Sequence, residues 1–160
     1  MFGSLDGQKF EALTSTAKAR NSKKYFKKGR GVVVYTLLSN HVPIMNELIG
    51  AHEHESYDAF DLWYANTSII QPMIITGDMH SINKANFALF HWFGGDFRPR
   101  FTNLKRELAH VFGSPEPSSY ESFWIKPAKA INKQLILDEK ENIDRIVVTL
   151  LYAIVFWMRM

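Results

Sequence analysis

The sequence predicts an α/β fold, a mixed β-sheet flanked by helices, on three observations. The chain has 160 residues, is 46% hydrophobic and contains no cysteine, so it can bury one core without disulfides. Residues 32–38 form an unbroken apolar, β-branched run, which is typical of a central strand. Apolar residues spaced three and four apart at 57–64 and 85–93 indicate helices that pack on the sheet.

The strands before the first helix are predicted from short apolar runs separated by turn residues. Residues 2–6 are predicted as a strand, and residues 11–30, rich in lysine, serine and threonine, as a long loop or β-hairpin arm. Residues 39–41 predict a turn after the central strand. Residues 42–49 then predict a strand that pairs antiparallel with it.

Two helices and two further strands are predicted after residue 54. The first helix is expected to begin at Glu55-Ser56 and to stop before Gln71-Pro72, and residues 73–76 then form a strand. A second helix follows at once, ends at Gly94-Gly95, and leads to a short edge strand at 97–101. The apolar face of the first helix is predicted to contain Tyr57, Phe60, Trp63 and Tyr64, and that of the second Ala85, Leu89, Trp92 and Phe93. The aromatic residues expected in the core, rather than in a stacking platform, are Trp63, Tyr64, Phe87, Phe90, Trp92 and Phe93.

This order of elements describes a ribonuclease-H-like sheet, expected to be incomplete at both ends. In that topology the first strand and the strand after the helix lie side by side and run parallel. We expect residues 1–150 to form a partial domain and 151–160 a divergent apolar tail. The apolar run at 143–158 predicts a helix that needs neighbours to cover it rather than a membrane span. The opening residues show no signal peptide, and the lack of cysteine fits a reducing cytoplasm, so a cytoplasmic protein is expected.

Two aspartates, Asp6 and Asp78, each follow a short apolar run and are therefore predicted at the ends of strands. Two carboxylates on neighbouring strands can hold Mg²⁺ between them, an arrangement that serves phosphodiester chemistry. The alternative is that each is a turn residue or a helix cap, as most strand-end aspartates are.

Basic residues are concentrated near the first aspartate, which suits a polyanionic substrate. Tyr25 stands among these cations, as expected of a segment that contacts a DNA backbone. A solvated loop is the alternative for the charges, and an anchor to the core is the alternative for Tyr25 and Phe26. The residues predicted to bind DNA are Lys23, Lys24, Lys27, Lys28, Arg30 and His80.

Two histidine positions carry alternative interpretations. The run from His52 to Glu55 could suggest a metal cluster, but the sequence favours a polar strand-to-helix junction capped by Glu55 or Ser56. His80, two residues after Asp78, could contact a scissile phosphate or could be a polar residue at a helix start.

Several motifs, taken together, resemble the catalytic region of Tn-three-family transposases. The resemblance runs from the first residues to about residue 150. The stretches that carry it are Ser4-Leu5-Asp6-Gly7-Gln8-Lys9-Phe10, Lys24-Tyr25-Phe26, Gly31-Val32-Val33-Val34-Tyr35-Thr36, Asn40-His41-Val42-Pro43-Ile44, Ile49-Gly50-Ala51-His52-Glu53-His54-Glu55-Ser56, Gly77-Asp78-Met79-His80, Asn86-Phe87-Ala88-Leu89, Phe97-Arg98-Pro99-Arg100-Phe101 and Ile125-Lys126-Pro127.

The resemblance implies metal-dependent nicking of transposon ends and strand transfer into target DNA. It implies a triad of two aspartates and a glutamate that binds Mg²⁺ or Mn²⁺, with Asp6 and Asp78 as the aspartates. The implied partner is double-stranded DNA, the implied full-length protein a homodimer in the bacterial cytoplasm, and no membrane is involved.

The chain also departs from the family pattern. The family glutamate normally lies beyond the last residue here, and Glu139 and Glu141 fall in a segment that resembles the region before it. Residues 79–83 alter the motif after the second aspartate, and Lys140 replaces a usual tryptophan. We therefore expect a truncated and inactive segment. The alternatives are a non-catalytic remnant that binds DNA or a partner, and a nuclease with a two-acid site.

Overall fold

The computed structural model describes residues 1–114 and 116–157, which fall into two compact units. The first unit spans Met1–Arg100 and contains the sheet, and the second begins at Phe101.

The first unit is built on one six-stranded mixed sheet, as the sequence predicts. Its order is β2-β3-β1-β5-β6, with β4 also paired to β3. β1 runs antiparallel to β3 and parallel to β5. The strands are β1 (Phe2–Ala12), β2 (Arg20–Asn21), β3 (Arg30–Ser39), β4 (Val42–Gly50), β5 (Ile74–Gly77) and β6 (Asp96–Phe97). The mixed α/β architecture and the parallel neighbours β1 and β5 confirm the ribonuclease-H-like prediction.

The first strand is longer than the sequence indicates. β1 continues to Ala12, well past the predicted end at residue 6. The cause is non-local, because β3 pairs with every residue of β1 from Ser4 to Ala12. The predicted arm at 11–30 therefore starts as a strand of the sheet.

The hairpin between β3 and β4 confirms the predicted turn. Asn40 and His41 have φ of 49° and 65°, and Ser39 pairs with Val42. Two adjacent residues with positive φ form the two-residue turn that matches the right-handed twist of a hairpin.

Short helices cover one face of the sheet. They are α1 (Lys23–Phe26), α2 (Ala59–Tyr64) and α3 (Lys84–Trp92), and 3-10 turns occupy Glu55–Tyr57 and Met79–Ser81. α3 ends as predicted, because Gly94 has φ of 84° in the left-handed region. α2 stops earlier than predicted, and the Asn66 side chain instead holds the following loop by donating to Ile70 O at 2.7 Å.

The predicted apolar faces of these helices are partly wrong. Phe60, Trp63 and Phe90 are buried, whereas Tyr57 is 70% exposed and Trp92 is 47% exposed. Tyr57 lies in a 3-10 turn, whose tighter winding breaks the 3.6-residue spacing on which the prediction depended.

The α3 residues that face the core are different from the predicted set. They are Asn86 and Phe90, while the predicted Ala85 and Trp92 are exposed and Leu89 and Phe93 are half-buried. Phe87, also expected in the core, is 38% exposed.

The edge strand is shorter than predicted, but its hydrogen bonding continues past its end. Arg98 N donates to Ile75 O at 2.7 Å, and Arg100 N donates to Gly77 O at 2.8 Å. Pro99, which has no N–H, lies between these two donors and therefore costs the ladder no hydrogen bond.

The second unit contains short elements and one long helix. Its elements are α4 (Leu104–Leu108), β7 (Phe112–Gly113), a 3-10 turn (Pro117–Tyr120), β8 (Lys129–Ala130), α5 (Lys133–Asp138) and α6 (Lys140–Trp157). The helix predicted at 143–158 is α6, apart from residue 158, which lies outside the described residues. Ile146 and Tyr152 are 60% and 74% exposed, so this apolar helix has uncovered surface. Within the described residues, no helix combines the length and apolar character needed to cross a membrane.

Candidate functional site

Asp6 and Asp78 each come directly after the same pair of residues in the sheet. Leu5 and Gly77 are the last paired residues of the parallel β1–β5 ladder, and each aspartate follows one of them directly. Asp78 follows the end of β5, as predicted. The prediction that Asp6 ends its strand is wrong, because β1 continues alongside β3 to Ala12.

The Asp78 carboxylate is oriented by the turn that follows it. Its Oδ1 accepts a hydrogen bond from His80 N at 2.9 Å and lies 3.5 Å from Ser81 Oγ. Asp78 is therefore a helix cap, which was the alternative to a metal ligand. The two roles are compatible, since a carboxylate has two oxygens and about four lone pairs.

A buried hydroxyl pair lies next to this turn. Tyr35 Oη and Ser81 Oγ are 2.9 Å apart, and both side chains are excluded from solvent. Burial raises the pKa of Tyr35 well above its usual range, and the charges of Glu55 and Asp78 raise it further, against the lowering effect of the Ser81 hydrogen bond. Tyr35 therefore remains a neutral phenol and ties β3 to the turn after Asp78.

The donor chemistry of the two aspartates fits a hard divalent cation. Both supply carboxylate oxygens from neighbouring strands, with Asp6 exposed and Asp78 half-buried. Among residues 1–114 and 116–157 no three histidine, aspartate or glutamate side chains are grouped to hold a metal. Mg²⁺ is commonly held by one or two carboxylates and completes its shell with water and substrate phosphates.

A groove of about 480 Å³ opens beside Asp6 on its face of the sheet. It contains the carboxylate of Asp6 and the guanidinium of Arg100, together with several hydrogen-bonding groups. Its lining residues are Phe2, Gly3, Ser4, Asp6, Leu38, Asn40, His41, Thr76 and Arg100.

Two of the residues predicted to bind DNA come together in a second cavity. Lys24 Nζ lies 3.5 Å from His80 Nδ1, although 56 residues separate them in the sequence. The cavity has a volume of about 140 Å³ and is lined by Ser22, Lys24, Tyr25, Ala51, His52, Glu53, His54, Glu55 and His80. The other predicted residues, Lys23, Lys27, Lys28 and Arg30, are exposed and are not part of its lining.

Tyr25 and Phe26 differ in their surroundings: Tyr25 lies among the cations, whereas Phe26 is anchored to the sheet. The ammonium groups of Lys9 and Lys24 lie 4.6 and 4.7 Å from the centroid of the Tyr25 ring, which places Tyr25 among the cations. Phe26 is an anchor, because its ring lies against Gly31 of β3, where a Cβ would meet it at 2.1 Å.

The histidine–glutamate run forms a junction, as the sequence favours, but the predicted capping residue is wrong. His54 caps the 3-10 turn by accepting from Ser56 N at 3.3 Å, and its Nδ1 also lies 2.8 Å from Ser56 Oγ. Glu53 turns back to accept from Gly50 N at 3.0 Å. An imidazole nitrogen can replace the usual carboxylate or hydroxyl cap because it is also a hydrogen-bond acceptor.

Sequence reasoning missed the buried carboxylate of Glu55. Glu55 is 4% exposed, and its Oε1 lies 3.3 Å from Lys9 Nζ. Its carboxylate packs on Gly7, where a Cβ would meet Oε2 at 2.5 Å. The glycine directly after Asp6 is the sequence signal that could have indicated this close approach.

Sequence reasoning also missed Arg100, which lines the groove with Asp6. The segment was interpreted as an edge strand without a functional side chain. The alternation of Arg98, Pro99 and Arg100 was the available signal, because successive residues of a strand point to opposite faces, which puts both arginines on the face opposite Pro99.

Comparison with protein families identifies the family of this chain. The family model described as Tn3 transposase DDE domain matches residues 1–153 of the chain. Comparison with curated proteins gives no match. Comparison with solved structures gives none either.

Proposed function

The chain belongs to the Tn3 transposase DDE domain family, and we propose that it is a segment of the catalytic domain of a DNA transposase. The reaction of the complete enzyme is metal-dependent nicking of transposon ends followed by strand transfer into target DNA. We assign residues 1–150 to this partial domain and 151–160 to a divergent tail. The observation that carries the proposal is the placement of Asp6 and Asp78 directly after paired residues of adjacent parallel strands.

Asp6 and Asp78 are proposed to hold Mg²⁺ or Mn²⁺. When bound, such an ion lowers the pKa of an attacking water or 3′-hydroxyl and stabilises the leaving 3′-oxygen. Asp78 is positioned for this by the hydrogen bond from His80 N, which fixes one carboxylate oxygen. Asp6 is positioned by β1, which is paired on both sides at the preceding residue.

Double-stranded DNA is the proposed partner. The exposed cations of the basic segment can neutralise backbone phosphates, and Lys24 and His80 can act on one phosphate because they lie within 3.5 Å of each other. The full-length protein is proposed to act as a homodimer in the bacterial cytoplasm. The residues proposed to contact DNA are Lys23, Lys24, Lys27, Lys28, Arg30 and His80.

The chain by itself is proposed to bind DNA without nicking it. The family triad includes a glutamate, and no motif in this sequence matches the one that carries it. Two carboxylates supply fewer oxygens than two catalytic cations need, so the remaining site binds metal more weakly than a complete triad would.

Manganese binding tests the assignment of the two aspartates. The free Mn²⁺ signal in electron paramagnetic resonance should fall on adding the chain and should recover in Asp6→Ala and Asp78→Ala. Asp96→Ala is the matched control, because Asp96 is a surface carboxylate that pairs with Arg98. Binding that is unchanged in both site variants would contradict the assignment.

A nicking assay tests the proposed inactivity. Labelled duplex DNA incubated with Mg²⁺ or Mn²⁺ should stay intact with the wild-type chain, as it does with the Asp6→Ala and Asp78→Ala variants. Nicking by the wild-type chain that disappears in both variants would show that the two-acid site is active without the glutamate. A chain that binds DNA but no Mn²⁺ would instead support the non-catalytic remnant.

A further inference from the structure

Arg100 lies level with the two aspartates, on the segment that continues β6 alongside the end of β5. The bonds from the β6 segment to β5 advance in steps of two, with donors Asp96 N, Arg98 N and Arg100 N. Asp96 is paired with Ile74, so the same progression places Arg100 opposite Asp78. Asp6 comes opposite Asp78 by the same extension of the β1–β5 ladder. Three charged residues therefore form one row across β1, the end of β5 and the segment that continues β6.

Asp6 and Arg100 face away from the buried side of the sheet, whereas the Asp78 carboxylate turns toward the buried Ser81 hydroxyl and does not line the groove. The preceding row consists of Leu5, Gly77 and Pro99, all of which are buried. Because successive residues of an extended segment point to opposite faces, Asp6 and Arg100, which follow Leu5 and Pro99, belong to the other face. Asp6 and Arg100 are both exposed and line the same groove, which agrees with this alternation.

We propose that Arg100 binds a DNA backbone phosphate in this groove, next to Asp6. This inference rests on the proposed function of the two aspartates. The Asp6 carboxylate alone repels a phosphodiester, so a substrate phosphate beside it needs a fixed cation as well as any bound metal. A guanidinium meets this need, because its planar array of donors binds two phosphate oxygens at once.

The backbone of Arg100 is held in place by a hydrogen bond to the sheet, which limits where its guanidinium can lie. Its N–H donates to Gly77 O at 2.8 Å, so the residue is tied to the end of the strand that delivers Asp78. Thr76 and Ser4 line the same groove and supply hydroxyl groups for further contacts to phosphate or sugar oxygens. The carboxyl ends of strands in open α/β sheets are also where ligands of such proteins usually bind.

DNA binding by the full chain tests the proposal. The affinity for a short fluorescein-labelled duplex is measured by anisotropy in EDTA over a series of salt concentrations. Arg100→Gln should weaken binding by about tenfold or more, and the slope of log affinity against log salt should become shallower by about 1. Arg100→Lys should fall between these values, because it keeps the charge and loses the bidentate geometry.

Arg98→Gln is the matched control. Arg98 is an exposed arginine two residues earlier, but it pairs with Asp96 and is not among the residues that line the groove. Its replacement should change affinity and salt slope much less than Arg100→Gln. Circular dichroism and a thermal melt on each variant confirm that the chain remains folded.

Equal affinities and slopes for Arg100→Gln and Arg98→Gln would overturn the proposal. The Mn²⁺ titration of the Asp6 and Asp78 variants decides the metal assignment separately. Loss of metal binding in those variants with unchanged DNA binding by Arg100→Gln would reject Arg100 alone. Unchanged metal binding in the aspartate variants together with weakened DNA binding by Arg100→Gln would support the phosphate site and reject the metal assignment.

Discussion

The hydroxyl groups of Tyr35 and Ser81 lie 2.9 Å apart in the interior of the first unit. Tyr35 belongs to β3, and Ser81 closes the 3-10 turn that begins after Asp78. Ser81 Oγ is also 3.5 Å from Asp78 Oδ1, so the contact links the sheet interior to the candidate metal ligand. The position of Asp78 thus depends on a buried polar pair as well as on its strand.

Replacing Tyr35 with phenylalanine should destabilise the chain by about 1–2 kcal/mol, because the buried Ser81 hydroxyl loses its partner. Chemical denaturation followed by tryptophan fluorescence measures the change. Ser81→Ala and the double variant complete a cycle, in which the double variant should cost less than the sum of the two single changes. Strict additivity would show that the two hydroxyl groups do not interact.

Replacing Asn86 with alanine should cost about 2–3 kcal/mol. The buried Asn86 amide donates to Ser56 O at 2.8 Å and to Ser81 O at 3.2 Å, joining the two 3-10 turns. Both carbonyls lose a donor in the variant. Asn83→Ala is the control within the same region, because Asn83 caps α3 at an exposed position and should cost about 1 kcal/mol. An Asn86→Ala cost no larger than that of the control would show that the bridge contributes little.

Local patterns predicted the strands better than the helix faces. The unbroken apolar run of β3 and the turn at Asn40-His41 are local signals, although the burial of Val33, Tyr35 and Leu37 on one face is seen only in the structure. The burial of Asn86 could not be predicted, because its carbonyl partners become neighbours only when the two turns meet in the fold.

The candidate site shows the same division. Asp6 and Asp78 were found from their position after apolar runs, although β1 extends past Asp6. Arg100 was missed because its position beside Asp78 depends on hydrogen bonds between segments that are distant in sequence. Register between strands is set by tertiary contacts, and no single segment of the sequence encodes it.

Replacing Gly7 with alanine should destabilise the chain by about 1–3 kcal/mol. The added Cβ would meet Glu55 Oε2 at 2.5 Å, so the buried carboxylate must move away from its ion-pair partner Lys9. Denaturant titration measures the loss. Combining Gly7→Ala with Glu55→Ala removes the clash, so the double variant should be less damaged than the sum of the single changes. A sum that is fully additive contradicts the steric explanation.

Replacing Lys24 with glutamine should weaken DNA binding to a similar extent whatever the base sequence of the duplex. The Lys24 ammonium lies 3.5 Å from His80 and faces the cavity beside it. Loss of one phosphate contact should make the salt slope of affinity shallower by about 1. Lys140→Gln is the control, because Lys140 pairs with Asp144 at 2.6 Å in α6. An equal effect of both variants would point to a general loss of charge rather than a contact at Lys24.

The stability of the chain should fall as the pH rises from about 4 to about 6. Burial raises the pKa of Asp58 from 3.8 to about 6, and the charges of Glu47, Glu53 and Asp61 add to this, against the opposing effect of Lys18. In that range the folded chain keeps a proton on Asp58 that the unfolded chain has released. The stabilisation is therefore complete below pH 3.8 and is lost as the pH rises through about 6.

Asp58→Asn tests this dependence, because an amide remains neutral at every pH. Thermal melts between pH 4 and 7 should show a smaller fall in melting temperature for Asp58→Asn than for the wild type. Asp96→Asn should retain the wild-type dependence, because Asp96 is an exposed carboxylate that pairs with Arg98 and is not among the acidic groups that act on Asp58. Nuclear magnetic resonance of the Asp58 carboxyl carbon gives the direct check, and titration near 3.8 would mean that burial does not perturb this group.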